Sequence, residues 1–554
     1  TVDTQGMGTA GCVILAADNS YSGETRILSG ASLAVGAGET AGTLGTGVVV
    51  NEGTLTFNRT DRVTAGNALS GTGNLVQKGS GELVLTGNNS YTGVTRIAVG
   101  TLTVGDGGTS GSLGTGAVVN NGVLVFNRSD AVVFNTAVSG TGALVKNGSG
   151  TLTIQKQLSY TGGTTVNEGT LVLSKGGANG IIQGDLSIQE GAQVTLKGGN
   201  SFGSSGGIAS VKGVNINGGT LYFGDKNNQV CKYMTFNLTG GVVDGVAGGR
   251  MDIAMGTSIE VKAADKASEI RNINVQLKDS YPSIFRVARG TAVSDLNVSA
   301  NIVNSSGVKG ALTKTGNGIM VLSGKNTYSG GTTVELGTLV AASSQALGTG
   351  QAMVDSDGCL VLGGTGADAP GISLGNNILV KNGGVLTGSA TLTGNTTMES
   401  GSIFELTLSI GGSAGDELAC NSLMLRSGVF RIDAGAMLKL AALTIDYSTD
   451  FWNTSHILNF IDGGDNATLT GNFTLDTSAA GDYSAYGEWS LQKSEDSKDM
   501  NMVWTPNAAP EVSSALTAAF TATAPLPVPE PSAAVLMLAA AGAAFLRRSV
   551  PRNR

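Results

Sequence analysis

Apolar and polar residues alternate along most of the chain in runs of three to five positions, each stopped by a glycine-containing break. Thr151-Leu152-Thr153-Ile154 and Thr170-Leu171-Val172-Leu173 are typical. A period of two places every second side chain on one face, which predicts short strands with a single buried face. No stretch from the N-terminus to about residue 445 shows the 3.6-residue period of a helix. The breaks read Gly-Ser-Gly, Thr-Gly-Gly and Asn-Glu-Gly, residues that accept positive φ and so reverse the chain within two or three positions.

These runs recur in order. Gly71 to Val104 reads GTGNLVQKGSGELVLTGNNSYTGVTRIAVGTLTV, and Gly140 to Leu173 repeats it 69 residues on. A further copy spans Lys309 to Ala341 and a clipped one Gly11 to Val35, so that clear copies occupy 11–35, 71–104, 140–173 and 309–341. Tyr21, Tyr91 and Tyr160 mark the register. A second motif, from Val48 to Asp61 and from Ala117 to Asp130, keeps the same period. One such unit cannot bury its apolar face alone, whereas stacked units bury each inward Leu or Val against the next. The expected fold is all-β: a right-handed parallel β-helix over residues 1–445, with about three coils of ~23 residues per unit and about twenty coils in all. A β-propeller would need blades of ~45 residues, which this spacing does not supply. Between 174 and 308, and again between 395 and 445, the motif fades while Gly-flanked alternation persists, as expected of diverged coils. Residues 446–505 hold Trp452, Trp489, Trp504 and the single histidine, His456, and are expected to form a terminal β cap over the open end.

The run K-x-G-x-G-x-L-x-L-x-G-x-N-x-Y-T-G-G-T-x-V-x-x-G-T-L resembles the autotransporter-associated beta-strand repeat. Lys78 to Leu102 and Lys314 to Leu339 carry it; the copy at Lys146 reads Gln155 to Leu158 where the pattern has x-G-x-N. The resemblance implies a secreted or surface β-helical protein of a Gram-negative bacterium. It marks an architecture and a secretion history, not a reaction.

Composition agrees with a turn-rich solenoid. Glycine fills 86 of 554 positions and charged residues only 13%, against usual shares of ~7% and ~25%. With 40% apolar residues and a mean hydropathy of +0.13 the chain has enough apolar surface to fold. Its net charge of −8, from 33 basic and 41 acidic residues, offers no basic stripe of the kind that grips a nucleic-acid backbone, so no nucleic-acid partner is expected. Cys12, Cys231, Cys359 and Cys420 are too dispersed for a zinc site or a disulfide framework and are expected to be unpaired thiols, with one or two long-range disulfides as the alternative in an oxidising compartment.

The C-terminal stretch reads as an address. Residues 506–528 form a Pro/Ala/Thr linker, and Pro529-Glu530-Pro531 follows. Ala533 to Leu546 carries no charge, and Arg547, Arg548, Arg552 and Arg554 close the chain. As a helix the apolar run would reach only about 21 Å, short of a ~30 Å hydrocarbon core, while the arginines would stay cytoplasmic. Residues 529–554 resemble a PEP-CTERM sorting signal, with Val528, Pro529, Glu530, Pro531 and Ser532 as its recognition motif. That resemblance implies transient inner-membrane anchoring and processing by an exosortase-type enzyme. The start at Thr1 and the clipped first repeat are expected of a record that lacks upstream coils, and the tail is too short for the membrane barrel that ends a conventional autotransporter.

Candidate chemistry is sparse. Gly6 to Gly11 matches GxGxxG, but glycine this frequent yields about two such matches by chance, and no strand and helix flank this one. Gly363 to Pro370 approaches a calcium-binding nonapeptide in a single copy, with Pro370 at the apolar position. A Ser-His-Asp triad could use only His456. The enzymatic alternative is a β-helical polysaccharide hydrolase or lyase, which needs convergent carboxylates; Asp244, Asp252 and Glu260 are its candidates. No catalytic residue, metal ligand or cofactor is assigned. The expected function is a non-enzymatic, exported scaffold at the cell surface or outer membrane, or secreted, acting as an adhesin or matrix component with glycans or exopolysaccharide as ligands.

Overall fold

The computed structural model describes residues 12–177, 179–203, 210–363, 371–410, 418–441, 447–448 and 450–507. They wind as an all-β parallel solenoid of about 17 turns with essentially no helix. At ~4.8 Å per turn the ladders run for ~80 Å. The expectation of about twenty coils was slightly long.

Three strand ladders line the turns. The longest climbs from Val63–Ala65 through Glu82–Leu85, Thr101–Val104, Val123–Asn127, Ala143–Asn147 and Thr164–Val166, always parallel, and ends on His456–Thr470. A neighbouring ladder runs from Val13–Leu15 through Asn74–Gln77, Thr95–Ile97 and Val118–Asn120 to Val138–Ser139. The third carries Ala131–Phe134, Thr151–Ile154, Thr170–Leu173 and Gln193–Leu196. Because like residues stand over one another, Leu83, Leu102, Leu124 and Leu144 form one buried column. A fully buried leucine contributes roughly 1.5–3 kcal/mol.

The sequence unit and the structural turn do not coincide. In that column a turn takes 19 to 22 residues, fewer than the ~23 expected, so 69 residues exceed three turns. Three turns above Leu75 stands Val138, through Thr95 and Val118. Leu144, the residue 69 after Leu75, lies in the next strand of the chain and stacks three turns above Leu83 instead. Each of these two units therefore lands one face further round than its predecessor. The three faces demand the same thing of a strand, a small alternating run, so nothing ties the sequence period to a whole number of turns.

The motif glycines are required by positive φ at some positions, as at Gly100, Gly169 and Gly337 (67°, 67° and 72°), and by close approach at others. A Cβ on Gly79 would sit 2.0 Å from the carbonyl oxygen of Arg59, and one on Gly81 2.0 Å from that of Asp61, in the turn below. Gly-x-Gly is thus a corner where two backbones touch.

At the C-terminal end the pairing changes. His456–Thr470 continues the parallel solenoid with its later residues while its start pairs antiparallel with Met500–Pro506, which pairs in turn with Gly487–Lys493. Trp452, Trp489 and Trp504 gather with Tyr447 and Tyr483. Trp504 Nε1 donates to the Trp452 carbonyl at 2.9 Å and Trp489 Nε1 to the Tyr447 hydroxyl at 3.3 Å. The parallel ladders persist to Thr474–Asp476.

Candidate functional site

In the three full copies the polar residues that define the repeat turn inward, while Tyr21 of the clipped copy is exposed. The Tyr and Thr four positions apart in each copy are bonded to each other: Tyr21 to Thr25 at 2.8 Å, Tyr91 to Thr95 at 2.7 Å, Tyr328 to Thr332 at 2.5 Å, and Tyr160 to Thr164. Asn89 bridges turns by accepting from the Leu69 amide at 2.9 Å and donating to the Ser112 carbonyl at 2.6 Å, and Asn326 does the same between Ile302 and Ala346. In the copy that departs from the pattern, Leu158 occupies this place, joins the core, and keeps the turn through its own amide on the Ile181 carbonyl at 2.8 Å.

The repeat's lysine is a core residue, which the sequence reading missed. Lys146 is 2% exposed, and its ammonium donates to the carbonyls of Asn147 at 2.8 Å, Gly148 at 2.5 Å and Glu168 at 3.1 Å. Lys314 is held in the same way by Gly316 and, at 2.6 Å, Leu336. Burial pushes both ammonium groups down to about 8. The pairing of Phe57 with Gln77 and of Phe126 with Lys146 makes Gln77, not the exposed Lys78, the counterpart in the earlier copy. Gln77 Nε2 reaches the carbonyls of Gly79 at 2.8 Å and Gly81 at 3.0 Å.

The second recurring motif is a clip. Arg59 forks onto Asp61 at 2.8 and 2.7 Å and holds the carbonyls of Gly42, at 2.7 Å, and Thr40. Arg128 repeats this with Asp130, Thr109 and Gly111. Each guanidinium keeps its aspartate below the usual carboxylate range and ties an outer loop to the next turn.

The candidate carboxylates do not converge. Asp244 pairs in register with Tyr222, Asp252 with Val230 and Gln276, and Glu260 with Asn237 and Arg286, which puts them on three different ladders. Each has a cation: Asp244 meets Arg271 at 2.9 Å, the fully buried Asp252 meets Arg250 at 2.6 Å, and Glu260 lies 3.7 Å from Arg286. His456 stacks on Phe451 with ring centroids 4.1 Å apart and has its Nε2 2.8 Å from the Phe451 carbonyl, a packing role. The four cysteines are free thiols. Among the described residues no group of three or more His, Cys, Asp or Glu could hold a metal, and no helix is long and apolar enough to cross a membrane. The GxGxxG stretch, positions 364–370 of the nonapeptide and all the sorting residues lie outside the described residues.

The outer faces carry stacked polar columns. Asn237 Nδ2 donates to Asn215 Oδ1 at 2.9 Å, with Ser187 next in the column. Shallow clefts recur with the 69-residue unit: one of about 270 Å³ between Thr43–Thr46 and Val63–Asn67, another of about 330 Å³ between Gly111–Thr115 and Val132–Thr136.

Four segments match the passenger-associated-transport-repeat. They are residues 10–35, 75–104, 144–173 and 312–341, about a fifth of the chain. Over 221 residues the chain is also 33% identical to the adhesin BmaC autotransporter of Brucella suis biovar 1 (strain 1330), a match covering 36% of this chain and 6% of that protein. The chain thus spans only a small part of the length of this relative. Both findings support the reading of the chain as a protein built from repeats of this kind.

Proposed function

We propose that this protein is a non-enzymatic cell-surface or secreted β-solenoid scaffold of adhesin type. The observation that carries this reading is the inward use of the repeat's chemistry: tyrosines, asparagines, lysines and the arginine clips serve the turns. The outside is left with columns of Thr, Ser and Asn, which suit many weak polar contacts made in number, as with glycans or exopolysaccharide. The passenger-type repeats and the adhesin similarity point the same way. The tryptophan cluster and its antiparallel strands cap the solenoid and protect its open edge.

Export is completed, in this proposal, by the C-terminal address. An exosortase-type enzyme recognises Val528 to Ser532 while residues 533–546 hold the chain transiently in the inner membrane and Arg547, Arg548, Arg552 and Arg554 stop translocation. The proline after Glu530 keeps that residue extended and accessible.

Protease shaving of intact cells tests the location: peptides from residues 12–507 should be released without lysis. Recovery of the protein only after lysis would overturn the surface reading. Mass spectrometry of mature surface protein tests the address, since a C-terminus intact through Arg554 would refute processing. Incubation with a polysaccharide panel should give no new reducing ends or unsaturated products; turnover abolished by Asp252→Asn or Glu260→Gln would replace the scaffold with an enzyme.

A further inference from the structure

At the corner where the third ladder hands over to the next face, an open groove of about 420 Å³ is lined by Lys156 and Lys175, by the amides of Asn135, Gln155, Gln157 and Asn179, and by glycines. Ile154 stands in register with Leu173, Leu173 with Leu196, and Leu196 with Phe223. Lys156 and Lys175 lie two residues past these strand ends, Lys197 one and Lys226 three, so each of four consecutive turns carries one exposed lysine close to this corner, though not at one register position. None forms an ion pair among the described residues. The carboxylate at this corner, Asp225, is engaged by the backbone amides of Gly198, at 2.5 Å, and Asn227, at 3.0 Å. Four lysines against the single carboxylate of Asp225, on a chain of net charge −8, are a local reversal of the molecule's field.

The turns that carry these lysines are spaced ~4.8 Å along the solenoid, and an extended glycan advances by about one strand spacing per sugar. The neighbouring amides offer donors and acceptors for hydroxyls. No aromatic side chain lines the groove, so bases would have nothing to stack on. Duplex DNA, with one charge per ~1.7 Å, would extend far past four lysines onto an acidic surface. We infer that this corner binds an acidic polysaccharide of polyuronate type, lying along the solenoid axis with its carboxylates on Lys156, Lys175, Lys197 and Lys226. The inference rests on the scaffold reading and gives it a ligand class and a place.

Isothermal titration of the full chain with polygalacturonate tests it, with dextran as the neutral polymer. Polygalacturonate should bind at low salt and weaken as salt rises, and dextran should not bind. Replacing Lys156, Lys175 and Lys197 by Gln together should weaken binding at least about tenfold, several modest charge contacts acting in series, with an unchanged circular dichroism spectrum. Lys262→Gln with Lys266→Gln, exposed lysines away from the groove, should leave affinity as it was. Undiminished binding by the triple variant, equal binding of dextran, or displacement by duplex DNA at equal or lower concentration would each overturn the assignment. Failure of the wild-type protein to bind polygalacturonate would also overturn it, yet leave the scaffold reading standing, because protease shaving tests that separately.

Discussion

Lys146 and Lys314 give the solenoid a pH dependence that can be calculated. Their ammonium groups, ordinarily near 10.5, are pushed down to about 8 by burial. Below pH 8 both folded and unfolded chains hold the proton, and the folded state bears the full desolvation penalty. Between pH 8 and 10.5 the folded chain releases protons that the unfolded chain retains, so stability rises with pH across this window. Each pKa unit is worth 1.36 kcal/mol, so each lysine should add up to about 3 kcal/mol by pH 10.5. The earlier copy supplies the control, because Gln77 already fills this site with two neutral hydrogen bonds. Lys146→Gln should abolish the gain around residues 140–173 and be neutral or stabilising at pH 7. Lys146→Met leaves the carbonyls of Asn147, Gly148 and Glu168 without their donor and should be less stable than the glutamine variant by about 2 kcal/mol, roughly 1 per lost bond. Solenoid turns open locally, so the suitable assay is hydrogen exchange of peptides from 140–173, as the ratio of variant to wild type at each pH from 7 to 10, which cancels the intrinsic exchange rate. If wild type and Lys146→Gln follow parallel profiles, the ammonium is not buried as described. If the methionine and glutamine variants are equally stable, the carbonyl cradle is not what holds this turn.

Three further outcomes are expected. Arg128→Ala should release the loop at 106–111, seen as faster proteolytic nicking there while the strands keep their exchange protection. Tyr160→Phe should lower stability by about 1 kcal/mol, the worth of the Thr164 bond, measured as a fall in Tm. In native protein a thiol reagent should label the exposed Cys12 first and Cys359 and Cys420 slowly, their thiols pushed up to about 11 by burial, while Cys231, fully buried and pushed higher still, should react only after unfolding.

Much was legible without coordinates in space. Period-two alternation broken by glycine gave the strands, because a half-buried strand has no other pattern, and the 69-residue recurrence gave the stacking, because a single unit has too little core. The dispersed cysteines were read as unpaired, and so they are among the described residues. What the sequence could not convey was which polar residues face inward. The 69-residue period sets Lys146 over Gln77 and not over Lys78, but only the register with Phe126 and Phe57 shows that this position is buried under carbonyls while Lys78 is exposed. Asp244, Asp252 and Glu260 lie within seventeen positions and invite a shared site, but seventeen positions are most of a turn, and the winding sends them to three faces. The lysine row is the reverse case: Lys156, Lys175, Lys197 and Lys226 are unremarkable as letters and become one feature only when each turn is laid on the last. The kind of element and its repetition are readable in the string because they are local matters of side-chain alternation and backbone freedom. The phase of the winding, and with it which residues stack, which are buried and which stand together outside, is set only when the chain is wound, because that phase depends on the summed length of every loop in a turn.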